Sequence, residues 1–362
     1  MKITFKNIAL LPISVLYGLA TAVRNWLFDQ EILQSTRFDI PIISVGNLSV
    51  GGTGKTPHTE LILSALQSKW KIAMLSRGYM RKTSGFCFAD EKTNSQAIGD
   101  EPYQIHRKFP EIAVAVHEKR VAGVNKLLEI VPDLQLIVLD DAFQHRYIQA
   151  GLSILLTDYS NLYTRDLPMP AGSLREWKSG SKRADIVIVT KCPTNLKPIE
   201  MRVIETELKP ENNQALFFSS YVYDEIKPVF PDSEPDNWTL KKIKQTNTAI
   251  LLVAGIASPV AIIDQLKKYT DHITKVIFND HHVFLSKDYN LIMNRFESVK
   301  SDDKIILVTE KDAARIVSDV NFPESLKSKT FSLPIQVKIL NNQESQFIQK
   351  IQNYVVENSR NC

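Results

Sequence analysis

The chain has 362 residues, of which 44% are hydrophobic and 23% charged, with a net charge of +4. This composition excludes a disordered chain, and so small a charge gives no case for a nucleic-acid partner. The length is long for one domain and ordinary for two, and three scattered cysteines, Cys87, Cys192 and Cys362, exclude a disulfide framework or a zinc spacing and fit a reducing compartment.

No charged side chain occurs in residues 7–23, while Lys2 and Lys6 precede this run and Arg24 and Trp26 follow it. As a helix it is about 25 Å long at ~1.5 Å per residue, short of a hydrocarbon core of about 30 Å. Pro12 and Gly18 weaken it further as a span. The first reading is a monotopic anchor in the membrane surface, its basic ends near anionic head groups. A signal peptide ending at Ala20-Thr21-Ala22, or a helix buried on the domain, are the alternatives.

Next comes the apolar run Ile40-Pro41-Ile42-Ile43-Ser44-Val45, read as a buried strand. It is followed by Gly46-Asn47-Leu48-Ser49-Val50-Gly51-Gly52-Thr53-Gly54-Lys55-Thr56 and then a helical pattern over 58–69. Strand, glycine-rich turn, Gly-Lys-Thr and helix is the order that a phosphate-binding P-loop requires. Residues 49–56 would cradle the phosphates with inward-turned backbone N–H groups and the positive end of the helix dipole. Lys55 would reach the β- and γ-phosphates and the Thr56 hydroxyl would hold Mg²⁺. Ser49 stands where the usual pattern has glycine, and Gly51 and Gly52 supply the turn instead. The loop requires cytosolic nucleotide, which argues against secretion.

Strands and helices then alternate: strands at Ile72–Ser76, 112–116, 134–139, 153–157 and 185–190, with a helix over 119–131. Buried apolar runs between helices indicate a parallel sheet covered on both faces. Residues 217–230 read as an extended linker or hairpin, and Pro228, Pro231 and Pro235 mark an exposed loop. A second alternation has strands at 249–254, 274–278, 304–309 and 331–340, with helices over 260–268, 285–296 and 343–356. The expected fold is α/β: a P-loop, doubly wound, mostly parallel sheet (38–215), a linker (216–245), a smaller α/β lobe (246–362) with a cleft beside it, and the N-terminal membrane-associated helix (1–37).

Ligands of open α/β sheets sit beyond the C-terminal strand ends. Asp140 and Asp141 close an apolar strand at the position where P-loop proteins hold Mg²⁺, with Gln144 and His145 adding polar groups beside it. Gly99-Asp100-Glu101-Pro102 precedes a helix, where capping alone explains Asp100. Asn279-Asp280-His281-His282 ends a strand of the second lobe; a carboxylate and an imidazole from opposite lobes would make a general-base arrangement on closure. Arg77, Arg120, Arg165 and Arg175 at loop positions suit an acceptor that carries phosphate.

In this order these segments resemble the tetraacyldisaccharide 4′-kinase (lipid A 4′-kinase) family: 45–57, Ser76-Arg77-Gly78-Tyr79, Gly99-Asp100-Glu101-Pro102, 140–145, 167–176, Asp280-His281-His282 and 309–313. The resemblance implies transfer of the γ-phosphoryl of ATP to the 4′-hydroxyl of a tetraacylated glucosamine disaccharide 1-phosphate, at the cytoplasmic face of a Gram-negative inner membrane. It implies Asp100 as base assisted by His281, Lys55 and the P-loop on ATP, and Thr56, Glu101, Asp140 and Asp141 around Mg²⁺. Arg77, Arg120, Gln144, His145 and Arg175 are the expected contacts to the lipid substrate; no protein partner is expected. Ala142 replaces a glycine usual in the family, and His282 occupies a variable position. The rival is a membrane-associated P-loop ATPase or GTPase switch; Thr190-Lys191-Cys192-Pro193 begins like a guanine-specificity motif but has proline in place of its aspartate.

Overall fold

Short apolar runs form most strands of a computed structural model, which describes residues 5–233, 235–256, 259–280 and 282–359. In chain order the strands are β1 (Ile42–Asn47), β2 (Ile72–Ser76), β3 (Cys87–Phe88), β4 (Ala113–Val116), β5 (Leu136–Asp140), β6 (Leu152–Asp158), β7 (Ile186–Thr190), β8 (Ala215–Tyr223), β9 (Lys227–Pro228), β10 (Ala249–Ala254), β11 (Ile273–Ile277), β12 (Lys304–Thr309), β13 (Thr330–Leu333) and β14 (Ile335–Ile339). They form two sheets in two compact units. As far as they are described, residues 5–92, 105–221 and 337–359 make the first unit and residues 93–104 and 222–336 the second.

The sheet of the first unit has the order β14-β8-β7-β6-β1-β5-β2-β4-β3. Pairings from β8 through β4 are parallel and β3 is antiparallel. Every residue of β1, β2, β5 and β7 is buried, as in a parallel sheet covered on both faces. Val124 and Leu127 of the helix Arg120–Ile130 pack on Ile42, Leu75, Ile137 and Leu139. Met201, Ile204 and Leu208 of the helix Pro198–Leu208 pack on Leu155, Val187 and Val189. Strands run out from β1 in both directions, so its carboxyl end is a topological switch point, where such sheets bind ligands.

The N-terminal helix extends over Phe5–Asp29, beyond the charge-free run. One side is fastened to the loop of residues 171–177. Asn7 Nδ2 donates to Ala171 O (2.5 Å), Ser14 Oγ accepts from Ala171 N (2.7 Å), and Tyr17 Oη donates to Arg175 O (2.9 Å). A Cβ on Gly18 would overlap the Trp177 indole, so glycine there permits the close approach. The other side exposes Ile8, Ile13, Val15, Leu16, Leu19, Val23 and Trp26. The helix is apolar and long enough to cross a membrane, and little of it is buried.

The second unit holds the sheet β11-β10-β12-β13-β9, parallel except for β13–β9. Three segments depart from the sequence reading. Residues 215–223, expected within or beside a linker, add β8 to β7 as a parallel strand. The single strand expected over 331–340 is two strands in different sheets, separated at Pro334, which has no N–H to continue a ladder. Residues 337–359, expected in the smaller lobe, belong to the first unit: Tyr354 Oη accepts from Ile42 N (3.0 Å) and donates to Ile42 O (3.1 Å). Residues 93–104, expected with the P-loop, belong to the second unit, and their ion pairs described below give the reason.

Candidate active site

The loop after β1 is braced from three directions. Asn47 Nδ2 donates to Thr53 Oγ1 across its base (2.7 Å), and Thr190 Oγ1, at the end of β7, donates to Thr53 O (2.8 Å). Val50 N donates to Ser173 O and Arg175 N to Leu48 O, both at 2.7 Å, which joins the rising arm to the segment 173–175. The loop closes at Gly54, whose φ of 92° is left-handed and which starts the helix Lys55–Leu66. A Cβ at Gly54 would also collide with the Tyr221 hydroxyl.

His58 fastens the same turn. Its Nδ1 lies 2.7 Å from Gly54 O and its Nε2 2.8 Å from Ser219 Oγ. A carbonyl only accepts, so Nδ1 carries the proton and Nε2 accepts from the serine. Burial pushes the imidazole down to about 4, so it is neutral near pH 7. Gly51 and Gly52 are exposed and Thr53 is buried, leaving the loop crest open to solvent.

Beside the loop, Asp140 ends β5 and is 3% exposed; its Oδ1 accepts from Thr59 Oγ1 (3.3 Å). Asp141 turns away in the left-handed region (φ 48°), which aspartate tolerates better than most residues. Its Oδ1 accepts from Arg175 NH1 at 2.7 Å and stands 3.7 Å from Lys55 Nζ. Burial acts to raise the Asp141 pKa, but Lys55, Arg175 and Arg120 outweigh it and hold the carboxyl below its usual range. The P-loop lysine is thus held beside a carboxylate that a polyphosphate would replace as its partner.

Of the expected substrate contacts, Gln144, His145, Arg120 and Arg77 surround this acidic turn. Gln144 Nε2 donates to Asn47 O (2.8 Å) and Glu176 Oε1 (3.1 Å). His145 is held down to about 4, by burial first and then by Arg120, Arg24 and Arg77. Arg120 is 2% exposed: NH1 donates to His117 O (2.9 Å) and NH2 to Asp140 O (3.5 Å). Its two terminal nitrogens donate to backbone and its charge acts on Asp140 and Asp141, so it shapes the acidic turn from behind. Burial brings even this arginine down to about 10. Arg77 is exposed at the end of β2. Arg165 stands apart in an ion pair with Glu207. Sequence reasoning missed Arg24, whose NH2 donates to Gln144 O (2.9 Å), and Glu176, 2% exposed, which accepts from Asn25, Gln144 and Arg183. Only their place on the helix and in the segment 167–176 pointed to them.

In the second unit Asp100 and Glu101 begin the helix Asp100–Lys108. Asp100 Oδ2 accepts from Arg315 Nε (2.8 Å), while Lys311 Nζ lies 3.7 Å from both Glu101 and Asp280. Asp100 therefore shares a unit with Asp280 and is not drawn from an opposite lobe. His281 lies outside the described residues. His282 stacks on Phe278 at 4.3 Å and pairs with Asp288 Oδ2 at 3.0 Å, which explains it structurally.

Among the described residues no three His, Cys, Asp or Glu side chains converge as a metal cage. Asp140, at the end of the strand beside β1, and the Thr56 hydroxyl, in the first turn after Gly54, are oxygen donors of the kind Mg²⁺ takes, an ion that uses one or two carboxylates and fills its shell with phosphate oxygens and water.

A braced P-loop at a switch point, with carboxylates ending the neighbouring strand, is the donor half of a P-loop phosphotransferase. The family model described as LpxK, tetraacyldisaccharide-1-P 4′-kinase, matches residues 6–355. The chain belongs to this family. Tetraacyldisaccharide 4′-kinase of Bacteroides thetaiotaomicron is 48% identical over 357 residues, covering 97% of this chain and 94% of the relative. That of Flavobacterium johnsoniae is 43% identical over 349 residues, covering 96% and 97%. The crystal structure of LpxK from Aquifex aeolicus in complex with ATP superposes with a TM-score of 0.75 at 26% identity, covering 97% of this chain and all of that one.

Proposed function

We propose that the chain transfers the γ-phosphoryl of ATP to the 4′-hydroxyl of a tetraacylated glucosamine disaccharide 1-phosphate. The observation that carries this reading is the Lys55–Asp141–Arg175 cluster at the mouth of the braced P-loop, in a chain of this family. Phosphoryl transfer depends mainly on charge neutralisation and in-line positioning. Lys55 and the backbone of 49–56 bind the triphosphate. Thr56, Asp140 and Asp141, with Glu101, organise Mg²⁺, which when bound neutralises the phosphate oxygens. Asp100 takes the acceptor proton, with His281 assisting. Arg77 and Arg175, with Gln144 and His145, hold the acceptor's head group, and Arg120 keeps the acidic turn in place.

The acceptor's acyl chains keep it in the bilayer at ~0.8 kcal/mol per buried CH₂, so the enzyme must come to the lipid. The N-terminal helix is bonded through Asn7, Ser14, Tyr17 and Arg24 to loops of the first unit and exposes apolar side chains elsewhere. A helix fastened along its length to a water-facing unit is not surrounded by lipid. It supports a monotopic anchor, at the cytoplasmic face where ATP is available.

The test is radiolabel transfer from γ-labelled ATP with Mg²⁺ to the disaccharide 1-phosphate in mixed micelles. Label in the lipid, lost in Lys55→Ala, is the expected result. Release of labelled phosphate without labelled lipid would replace this reading with an ATPase switch. Asp100→Ala is expected to lower kcat far more than it weakens ATP binding; equal losses would remove the base assignment.

A further inference from the structure

Arg315 belongs to none of the motifs read in the sequence, yet its guanidinium donates directly to Asp100 in the second unit. Its side chain is 8% exposed, against 21% for Asp100. Nε donates to Asp100 Oδ2 at 2.8 Å; NH1 donates to Asp312 Oδ1 at 2.8 Å and to Gly255 O at 3.2 Å. Asp312 is itself wholly buried, and its Oδ2 accepts from Thr309 Oγ1 (2.7 Å) and Gly255 N (2.9 Å). A buried carboxylate with all these partners cannot swivel, and it fixes the plane of the guanidinium that spans to Asp100. The fork geometry is specific to arginine, since a lysine ammonium offers a point charge without a plane.

We propose that Arg315, clamped by Asp312, is a positioning residue that orients the Asp100 carboxylate toward the acceptor hydroxyl. In the step it serves, the hydroxyl oxygen forms a bond to the γ-phosphorus as the bond from that phosphorus to the β–γ bridging oxygen breaks. The hydroxyl proton passes to Asp100, and ADP leaves with the bond's electron pair. Asp100 opens a helix after Gly99 at φ 92°, so its carboxylate stands at the start of that helix, within reach of the Arg315 guanidinium. Misplacing such a group by about 1 Å costs on the order of 10²-fold in rate. The inference rests on Asp100 being the base.

The experiment is steady-state transfer in mixed micelles at saturating ATP and lipid for Arg315→Met, Arg315→Lys, Asp100→Asn and the double variant Asp100→Asn/Arg315→Met. Arg315→Met is expected to lower kcat about 10²-fold with the KM for ATP little changed, and Arg315→Lys to recover part of that loss. Because Arg315 acts through Asp100, the double variant is expected to be no slower than Asp100→Asn alone. Losses that multiply in the double variant, or a normal kcat in Arg315→Met where Asp100→Asn is impaired, would overturn this inference alone. A normal kcat in Asp100→Asn would overturn the base assignment and this inference with it. If Arg315→Met does not fold, Arg315→Lys with its own double variant carries the same comparison.

Discussion

Gly54 shows how tightly individual residues are constrained at this site. Its left-handed φ and the Tyr221 hydroxyl above it each exclude a side chain, and the His58 imidazole holds its carbonyl. Gly54→Ala is expected to cost roughly 1–3 kcal/mol of stability from backbone strain alone, and to raise the KM for ATP because the loop N–H groups move. Denaturant unfolding and ATP titration check the two effects separately. That Lys55, Asp140 and Asp141 gather at the P-loop turn was legible, because they lie in contiguous motifs at strand ends. His58, Arg24, Glu176 and Arg315 were not. Each meets partners more than a hundred positions away, or owes its role to burial, and nothing local distinguishes a buried histidine or a bridging arginine from a surface one.

Among the elements, the N-terminal helix makes the clearest division of labour. Its apolar composition was visible at once, but which side stays exposed depends on the 171–177 loop, to which Tyr17 and Gly18 are fitted. Leu16 and Leu19 are 67% and 57% exposed. Replacing both with aspartate is expected to weaken partitioning to anionic vesicles by roughly 3 kcal/mol, over a hundredfold, as a sedimentation assay would show. Unchanged sedimentation would exclude this face as the anchor. The strand β8 was harder to read, because a Pro-rich loop follows its apolar stretch and resembles the flank of a linker. Ser219 and Tyr221 on that strand reach the P-loop, so the misread element is one on which the site depends.

For the whole molecule, burial of His58 sets a pH dependence of stability. Its imidazole titrates near 4 when folded and near 6.5 when unfolded, so between these values the unfolded chain binds more protons. Stability is therefore full above about 6.5 and falls as the pH drops toward 4, by about 3 kcal/mol if no other group compensates. Asp141 adds to the decline at lower pH, because its depressed carboxyl loses its partners on protonation. Urea midpoints from pH 7 to 4.5 should show this slope, and His58→Asn should make it shallower, the remainder coming from His145, which is also held down to about 4. A variant with the same slope as the parent would assign the loss to other groups.

Residue order alone carries the α/β class, the P-loop, the acidic strand end, the apolar N-terminus and the family resemblance. All of these are encoded locally: period and burial of apolar runs, glycines where a loop turns, and charged residues a few positions from the strand they end. The composition of the two units emerges only from long-range packing. Residues 93–104 pack with the second through Asp100–Arg315 and Glu101–Lys311, and residues 337–359 return to the first through Tyr354 and β14. Those assignments depend on pairing between segments more than a hundred positions apart. Local propensity is blind to such pairing, because a carboxylate at a helix start and an apolar strand near a chain end look the same whichever sheet receives them.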